Sequence, residues 1–285
     1  MYKIVSKKIL NPTVIQMEIE SPFVAKKAKP GQFIILRVDE DGERIPLTVA
    51  GTNKEKGTTK IIFQVVGSTT EKLKHKEEGE YISDFVGPLG MPTHTDGVER
   101  VCIIGGGVGC AIAMPIAEEF HRLGKHVTSI IGFRNKDLVI LEDEFKAVSD
   151  NLVMMSDDGS YGRNGNVTIP LKEMLEEDPH RFDLIITIGP LIMMKFVVAT
   201  AKPYNVPVTV SMNPIMIDGT GMCGGCRLTL IQDDKRVMKF ACVDGPDFNG
   251  YEVDFDEAMS RGRQYFDFER HAYEETCNLY KKEVK

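Results

Sequence analysis

Three cysteines and one aspartate in the last third of the chain have the spacing of a metal centre. Cys223 and Cys226 form a C-x2-C pair, Cys242 follows sixteen positions later, and Asp218 precedes Cys223 by five. Plant-type iron–sulfur sites have the pattern C-x4-C-x2-C…C, and this chain has aspartate at the first of these positions. Thiolates and a carboxylate are competent anionic ligands for iron. The spacing therefore predicts a [2Fe-2S] site with Asp218, Cys223, Cys226 and Cys242 as ligands.

Zinc is the alternative metal for these residues. Three cysteines with one further ligand make a tetrahedral zinc site that staples a fold without redox chemistry. No histidine lies between His180 and His271, which weakens the common three-cysteine, one-histidine version. Four glycines around the C-x2-C pair let the backbone fold closely and direct N–H groups at a small inorganic core. The residues favour iron–sulfur over zinc and leave both open.

A glycine run after a buried apolar segment is a second site with potential chemistry. Val101–Ile104 predicts a buried strand, and Gly105, Gly106, Gly107, Val108 and Gly109 follow it and open a helix. A backbone without side chains approaches a pyrophosphate closely at such a helix start. The run is not the G-x-G-x-x-G fingerprint with its acidic partner. Its position nevertheless favours dinucleotide binding over a simple tight turn.

Two further predicted strand ends belong to the same crevice. Asp157 and Asp158 follow one strand, and Gly189 and Pro190 follow the next. Ligands of parallel sheets bind outside the carboxyl ends of the strands, although each segment alone is an equally good turn. Arg134, after the second strand, is a candidate contact for a 2′-phosphate, which leaves the choice between NAD and NADP open.

The first 98 residues predict short strands that alternate with turns, which is typical of a small antiparallel barrel. Arg44–Thr48 is an apolar strand with polar ends. Gly67–Thr70 precedes a predicted short helix, Glu71–Lys76, where hydroxyls and a helix start resemble an anion site. Taken alone, a capped helix and an ordinary surface arginine are the simpler interpretations.

Residues 99–212 predict strands and helices in strict alternation, hence a parallel sheet with helices on both faces. Residues 213–250 break this alternation and form the predicted metal-binding lobe, with a hairpin turn at Asp233 and Asp234. Residues 251–285 predict a polar helical extension. Its interspersed aromatic residues fit an interface with another subunit, or a plain helix on the protein's own core.

Composition sets limits on the partners. The 285 residues exceed one typical core, and 42% hydrophobic with 27% charged residues is typical of a globular chain. A formal net charge of -7 argues against nucleic acid or an anionic membrane surface as the main partner. The N-terminus has no apolar signal block, and the most apolar stretch, Leu191–Ala201, is too short to cross a bilayer. We therefore predict a cytoplasmic protein.

The chain resembles the ferredoxin–NADP reductase superfamily from end to end. Within it, the chain is most similar to the small subunits of NADH-dependent reduced ferredoxin:NADP oxidoreductases, also called sulfide dehydrogenase β subunits. The motifs that carry the resemblance are Arg44–Thr48 (RIPLT), Val66–Leu73 (VGSTTEKL), Asp84–Gly90 (DFVGPLG), Gly105–Gly109, Asp157–Gly162 (DDGSYG), Ile188–Pro190, Asn213–Arg227 (NPIMIDGTGMCGGCR) and Phe240–Pro246 (FACVDGP).

The resemblance implies a β plus α/β architecture. An N-terminal six-stranded antiparallel barrel would hold FAD, a doubly wound parallel-sheet domain would hold NAD(H), and a small C-terminal lobe would hold the [2Fe-2S] cluster. The implied flavin contacts are Arg44, Pro46, Leu47, Thr48, Gln64, Gly67, Thr69 and Thr70. The implied nicotinamide contacts are Gly105, Gly106, Gly107, Val108, Gly109, Arg134, Asp157, Asp158, Gly189 and Pro190.

At two positions this chain differs from wider relatives, and these differences narrow the expected chemistry and the expected subgroup. Many relatives have cysteine where this chain has Ile188, so no catalytic thiol is expected, and no other catalytic side chain stands out. The electron-transfer subunit of dihydroorotate dehydrogenase has cysteine where this chain has Asp218, which favours the narrower subgroup.

The implied function follows from electron counting. Nicotinamide exchanges two electrons as hydride, a [2Fe-2S] centre exchanges one, and FAD connects the two. By resemblance, electrons pass to a larger subunit with FAD and [4Fe-4S] clusters, in an electron-bifurcating heterodimer that serves ferredoxin. The alternatives are the dihydroorotate dehydrogenase subunit and a zinc-stapled nucleotide-binding module without redox turnover.

Overall fold

The N-terminal part of the chain folds into an antiparallel barrel. The structure is a computed structural model that describes residues 1–283. The barrel strands are β1 (Tyr2–Asn11), β2 (Val14–Glu20), β3 (Phe33–Arg37), β4 (Arg44–Thr48), β5 (Gly51–Asn53), β6 (Thr58–Gln64), β7 (Tyr81–Ile82) and β8 (Asp84–Leu89), with helices α1 (Pro22–Lys27) and α2 (Ser68–Lys74).

Two bent strands join the two barrel sheets, which have the orders β5-β6-β2-β1-β7 and β4-β3-β8. Between β4 and β5, Val49 N still donates to Gln32 O beside β3, whereas Ala50 N donates to Lys60 O of β6. A single residue, Ser83, separates β7, which pairs with β1, from β8, which pairs with β3. The ring closes as six extended segments around an apolar interior. The predicted six-stranded barrel is confirmed.

A parallel sheet with helices on both faces follows. Its elements are β9 (Arg100–Gly106), α3 (Gly109–Arg122), β10 (His126–Phe133), α4 (Glu142–Val148), β11 (Asn151–Ser156), β12 (Arg163–Asn164), α5 (Thr168–Glu177), β13 (Leu184–Ile188), α6 (Leu191–Ala201) and β14 (Val208–Ser211). Short 3-10 turns occupy Lys136–Leu138 and Lys202–Tyr204.

The strand order β12-β11-β10-β9-β13-β14 makes the sheet doubly wound. Apolar residues of α3 and α4 pack on one face and those of α5 and α6 on the other. The chain runs outward from β9 to β11 and then crosses to β13 on the other side of β9. This reversal opens a crevice beyond the carboxyl ends of β9 and β13, where ligands of such sheets bind.

The remaining elements are β15 (Arg227–Gln232), β16 (Lys235–Phe240), β17 (Asp247–Asn249), α7 (Phe255–Gly262) and α8 (Phe266–Glu283). The turn between β15 and β16 has Asp233 and Asp234 at φ 49° and 60°, the left-handed pair of a tight hairpin turn. β17 pairs antiparallel with β14 at the edge of the parallel sheet. No helix within residues 1–283 is long and apolar enough to cross a membrane.

Candidate functional site

A hairpin brings two of the predicted ligands together. Cys226 immediately precedes β15 and Cys242 follows β16 by two residues, and Ala241 N donates to Cys226 O at 3.1 Å. The two Sγ atoms lie 3.1 Å apart, and both side chains are buried. Burial, together with the hydrogen bond to the neighbouring Cys226 thiol, raises the pKa of Cys242 to about 12. A metal that binds here therefore displaces a proton from this sulfur.

The other two predicted ligands lie on the loop before the hairpin. Asp218 Oδ1 accepts from Thr220 N at 2.8 Å, and Asp218 Oδ2 accepts from Cys223 N at 2.9 Å. The hydrogen bond from Thr220 N, with the smaller contribution from Cys223, lowers the pKa of Asp218. The loop turns sharply because Gly219, with φ 74°, and Gly221, with φ 83°, adopt the left-handed region.

The four predicted ligands form two pairs, Asp218 with Cys223 and Cys226 with Cys242. Within residues 1–283, no three side chains of His, Cys, Asp or Glu form a group that could hold a metal ion. A structural zinc site needs four ligands around one ion, whereas a [2Fe-2S] cluster divides its ligands between two irons. The two pairs match the two ligand pairs that a [2Fe-2S] cluster requires.

The glycine run and the Gly-Pro segment face each other across the crevice. A Cβ on Gly109 would lie 2.4 Å from Ile188 O, and a Cβ on Gly189 would lie 3.2 Å from Gly106 Cα. A Cβ on Gly106 would lie 2.4 Å from Met193 Sδ. These three glycines are therefore required by close packing between the start of α3, the end of β13 and Met193. A Cβ on Gly107 would meet nothing within 4 Å, which leaves open space beside the start of α3 where a pyrophosphate could approach.

The second rim of the crevice contains the other predicted nicotinamide contacts. Asp157 N donates to Phe133 O at 3.0 Å, and Asp158 N donates to Arg134 O at 3.3 Å. Arg134, Asp157 and Asp158 are exposed. Asp158 Oδ1 accepts from both the N–H and the hydroxyl of Ser160. The structure brings the arginine and the two aspartates together at the ends of β10 and β11.

The predicted flavin contacts lie on β4, at the end of β6 and at the start of α2. Thr69 Oγ1 donates to Glu43 Oε2 at 3.2 Å. The Glu43 carboxylate thus accepts the hydrogen bond that a phosphate oxygen of a bound cofactor would accept. A Cβ on Gly67 would meet nothing within 4 Å, which leaves open space beside it. The open space beside Gly67 leaves room for a cofactor group, whereas the Glu43 carboxylate would have to leave the Thr69 hydroxyl before a phosphate could bind it.

The Thr70 hydroxyl, predicted as a flavin contact, makes its hydrogen bonds to the backbone. Its Oγ1 accepts from Val66 N and Gly67 N, each at 3.0 Å, and donates to Gly67 O at 2.9 Å. The hydroxyl is therefore committed to the backbone that leads into α2, and this bonding explains why the helix begins at Ser68 and not at the predicted Glu71.

Sequence reasoning missed two charged neighbours of this region. Asp84 Oδ2 lies 3.3 Å from Arg44 Nη2, and Glu43 contacts Thr69 as described above. Asp84 begins the DFVGPLG motif, which supports the family resemblance but did not predict a role for Asp84. The contact of Asp84 with Arg44 follows from the pairing of β3 with both β4 and β8, which no local sequence pattern reveals.

Comparisons with known proteins agree with this geometry. Residues 213–254 match the family described as the iron–sulfur cluster binding domain of dihydroorotate dehydrogenase B. A protein from the adh 3′ region of Clostridium beijerinckii is 48% identical over 93% of this chain and 90% of its own length. A Thermotoga maritima homolog of the dihydroorotate dehydrogenase B (NAD(+)) electron transfer subunit is 46% identical over 95% and 94%.

A solved structure shows the same fold over nearly the whole chain. It belongs to a study of flavin-based electron bifurcation in NADH-dependent reduced ferredoxin-NADP oxidoreductase. The two chains are 46% identical, the match covers 96% of this chain and 97% of the other, and the TM-score is 0.89.

The barrel, the doubly wound sheet and the cysteine lobe together define a reductase of the ferredoxin–NADP reductase type. The chain belongs to the family of electron-transfer subunits that contains the dihydroorotate dehydrogenase B subunits and this small subunit of the bifurcating reductase. It is an NAD(P)H-dependent flavin and iron–sulfur oxidoreductase of the kind that acts as a subunit of a complex. The predicted cofactors, FAD, a nicotinamide dinucleotide and an iron–sulfur cluster, are those of this family.

Proposed function

We propose that the chain is the small subunit of an electron-bifurcating ferredoxin:NADP oxidoreductase, the subunit that exchanges hydride with NAD(H). When bound, FAD supplies exchange of hydride with the nicotinamide and of single electrons with a [2Fe-2S] centre. The protein contributes binding and orientation through its own residues. The observation that carries the proposal is the pair of buried thiols, Cys226 and Cys242, with Sγ atoms 3.1 Å apart behind the Asp218 loop.

In this proposal the three binding regions divide the work. Asp218, Cys223, Cys226 and Cys242 hold the cluster. Arg44, Pro46, Leu47, Thr48, Gln64, Gly67, Thr69 and Thr70 line the flavin, with Arg44 at its pyrophosphate and Thr70 contributing through the backbone that its hydroxyl organises. Gly105, Gly106, Gly107, Val108, Gly109, Arg134, Asp157, Asp158, Gly189 and Pro190 hold the nicotinamide dinucleotide.

The proposed boundaries are a flavin barrel at 1–98, a nicotinamide domain at 99–212, a cluster lobe at 213–250 and a helical extension at 251–285. The proposed partner is a larger subunit with its own FAD and [4Fe-4S] clusters, and ferredoxin receives electrons through that complex. The solved bifurcating reductase, at 46% identity over both chains, supports this choice.

Isolation of the complex tests the partner. The tagged chain should purify with one larger subunit that contains more iron than this chain. The complex should couple NADPH oxidation to reduction of both NAD(+) and ferredoxin. A complex that reduces NAD(+) but never ferredoxin contradicts bifurcation.

Transfer of electrons from dihydroorotate is the second candidate function. The match of residues 213–254 to the dihydroorotate dehydrogenase B domain and the name of the Thermotoga relative favour it. Asp218 argues against it, because dihydroorotate dehydrogenase subunits have cysteine there. A purified complex that oxidises dihydroorotate with NAD(+) would select this candidate and reject the first.

The carboxylate ligand has its own test. Asp218→Cys should keep the iron content but shift the visible absorption and the electron paramagnetic resonance g values, because a thiolate is softer than a carboxylate. An unchanged spectrum would mean that Asp218 does not contact iron. Thr220→Ala, one turn away on the same loop, is the matched control and should leave the spectrum unaltered.

A further inference from the structure

Three charged residues form a row across the β4-β3-β8 sheet. Arg37 of β3 lies directly opposite Arg44 of β4 and directly opposite Asp84 of β8. Like charges directly opposite each other in a sheet destabilise it. A single carboxylate oxygen counters both guanidinium groups: Asp84 Oδ2 lies 2.7 Å from Arg37 Nε and 3.3 Å from Arg44 Nη2.

The carboxylate contacts both arginines: Arg37 is the nearer and does more to lower the pKa of Asp84. The contact from Arg44 Nη2 has hydrogen-bond geometry, whereas Arg37 Nε has no aligned acceptor within the described chain. Partial burial alone would raise the pKa of Asp84, but Arg37 and Arg44 together bring it below its ordinary value. Asp84 is therefore an anion at every physiological pH and a permanent partner for the Arg44 side chain.

The neighbouring contacts fix the strand that carries Arg44. Glu43 Oε2, one residue earlier, accepts from Thr69 Oγ1 at the start of α2. Arg44 itself is 43% exposed, so part of its side chain remains accessible to a ligand. A long, partly exposed side chain such as Arg44 loses conformational entropy when it contacts a ligand. Because Asp84 already restricts the Arg44 side chain before the ligand binds, less entropy is lost on binding.

We propose that Asp84 is a positioning residue that holds the Arg44 guanidinium toward the pyrophosphate of the flavin dinucleotide. The inference rests on the proposed function, in which Arg44 contacts FAD. Asp84 itself does not touch the cofactor, since a carboxylate would repel a phosphate. Its effect is confined to ligands that carry the pyrophosphate.

Flavin binding to the full chain tests the inference. Asp84→Asn keeps the size of the side chain and removes its charge, so we expect the FAD dissociation constant to rise about tenfold. Riboflavin, which has no phosphate, should bind Asp84→Asn and the wild type equally. Asp84→Glu should recover most of the FAD affinity, because it restores the charge.

A double-mutant cycle shows whether the effect passes through Arg44. Arg44→Met should weaken FAD binding at least as much as Asp84→Asn, and the double variant should be no weaker than Arg44→Met alone. Glu173→Gln removes a comparable ion pair, Arg163–Glu173 at 2.8 Å, from a different part of the chain. This control should leave FAD binding unchanged.

The outcomes separate this inference from the proposed function. If Arg44→Met weakens FAD binding and Asp84→Asn does not, the positioning role is wrong and the flavin contact stands. Asp84→Asn could weaken riboflavin binding as much as FAD binding, with no recovery of either affinity in Asp84→Glu. In that case the ion pairs of Asp84 only stabilise the fold. If Arg44→Met leaves FAD affinity intact, the flavin contact of the proposed function is itself wrong.

Discussion

Gly109 and Ile188 approach each other so closely that a Cβ on Gly109 would lie 2.4 Å from the Ile188 carbonyl oxygen. Gly109 opens α3 after β9, and Ile188 ends β13. The start of α3 and the end of β13 are therefore in close contact at the reversal of strand order. This contact sets the width of the crevice in which a dinucleotide is proposed to bind.

Gly109→Ala should damage this crevice. The added methyl group collides with backbone, so the end of β13 must shift, at a cost of about 1–3 kcal/mol in the free energy of unfolding. We expect the NADH dissociation constant to rise by at least about tenfold, measured by titration of the flavin-loaded protein. Gly262→Ala is the control, because its Cβ would meet nothing within 4 Å. Unchanged NADH affinity in Gly109→Ala would remove this crevice as the binding site.

The buried thiol pair should control metal content. Cys226→Ala removes one of the two sulfur atoms that lie 3.1 Å apart, and we expect the iron content to fall from about two atoms per chain to near zero. Cys277→Ala, on α8, should leave iron and acid-labile sulfide unchanged. Full iron content in purified Cys226→Ala would contradict the ligand assignment.

Much of the fold could be predicted from local periodicity. The alternation of strand and helix predicted β9, β10, β11, β13 and β14, because each of these strands is long enough to show its own pattern, whereas the two-residue β12 was missed. β1 was not predicted as a strand, because irregularities between Ile4 and Ser6 and between Ile9 and Asn11 interrupt its alternation. β17 is only three residues long and exists through its pairing with β14, which no local pattern reveals.

In the candidate site, too, contacts set by a local turn could be predicted, whereas contacts between distant strands could not. The hairpin turn at Asp233 and Asp234 makes the approach of Cys226 to Cys242 predictable, since one turn fixes the register of both strands. The contact between Arg44 and Asp84 joins residues forty positions apart. It depends on closure of the barrel, and the sequence therefore gave no local sign of it.

The ion pair between Arg100 and Asp183 should make stability depend on pH. Asp183 Oδ1 lies 2.7 Å from Arg100 Nη2, and its Oδ2 accepts from the N–H groups of Glu99 and Arg100. The hydrogen bond to Arg100 lowers the pKa of Asp183 below its ordinary 3.8. A lowered pKa in the folded state gives stability that is present above 3.8 and lost as the pH falls through the folded value.

Asp183→Asn should therefore destabilise the chain by about 1 kcal/mol at pH 7, a modest value because the pair is partly exposed. The difference from wild type should be smaller at pH 3 than at pH 7, measured by urea unfolding at both pH values. Asp256→Asn, which removes an exposed pair with Lys195, should cost little at either pH. A difference of equal size at pH 3 and pH 7 would rule out the carboxylate charge as its cause.

Helix α8 should protect α2 from opening. The hydroxyls of Ser68 and Thr276 lie 2.7 Å apart, and the rings of His75 and Tyr280 stack with centroids 3.8 Å apart. Thr276→Val leaves the Ser68 hydroxyl without this partner, at a cost of about 1 kcal/mol. Amide exchange in Ser68–Lys74 should then become about fivefold faster.

Leu279→Ala is the control for this prediction, since Leu279 is 62% exposed and its truncation should not change exchange in α2. Equal exchange rates in Thr276→Val and wild type would mean that the helix lies over α2 without stabilising it.

The most direct test of the account is the iron and acid-labile sulfide content of the purified chain, combined with an electron paramagnetic resonance spectrum after reduction by NADH. The account predicts about two irons and two sulfides per chain and a low-temperature signal from a one-electron-reduced [2Fe-2S] centre. A colourless protein with one zinc per chain, or a chain with iron that NADH never reduces, would contradict it.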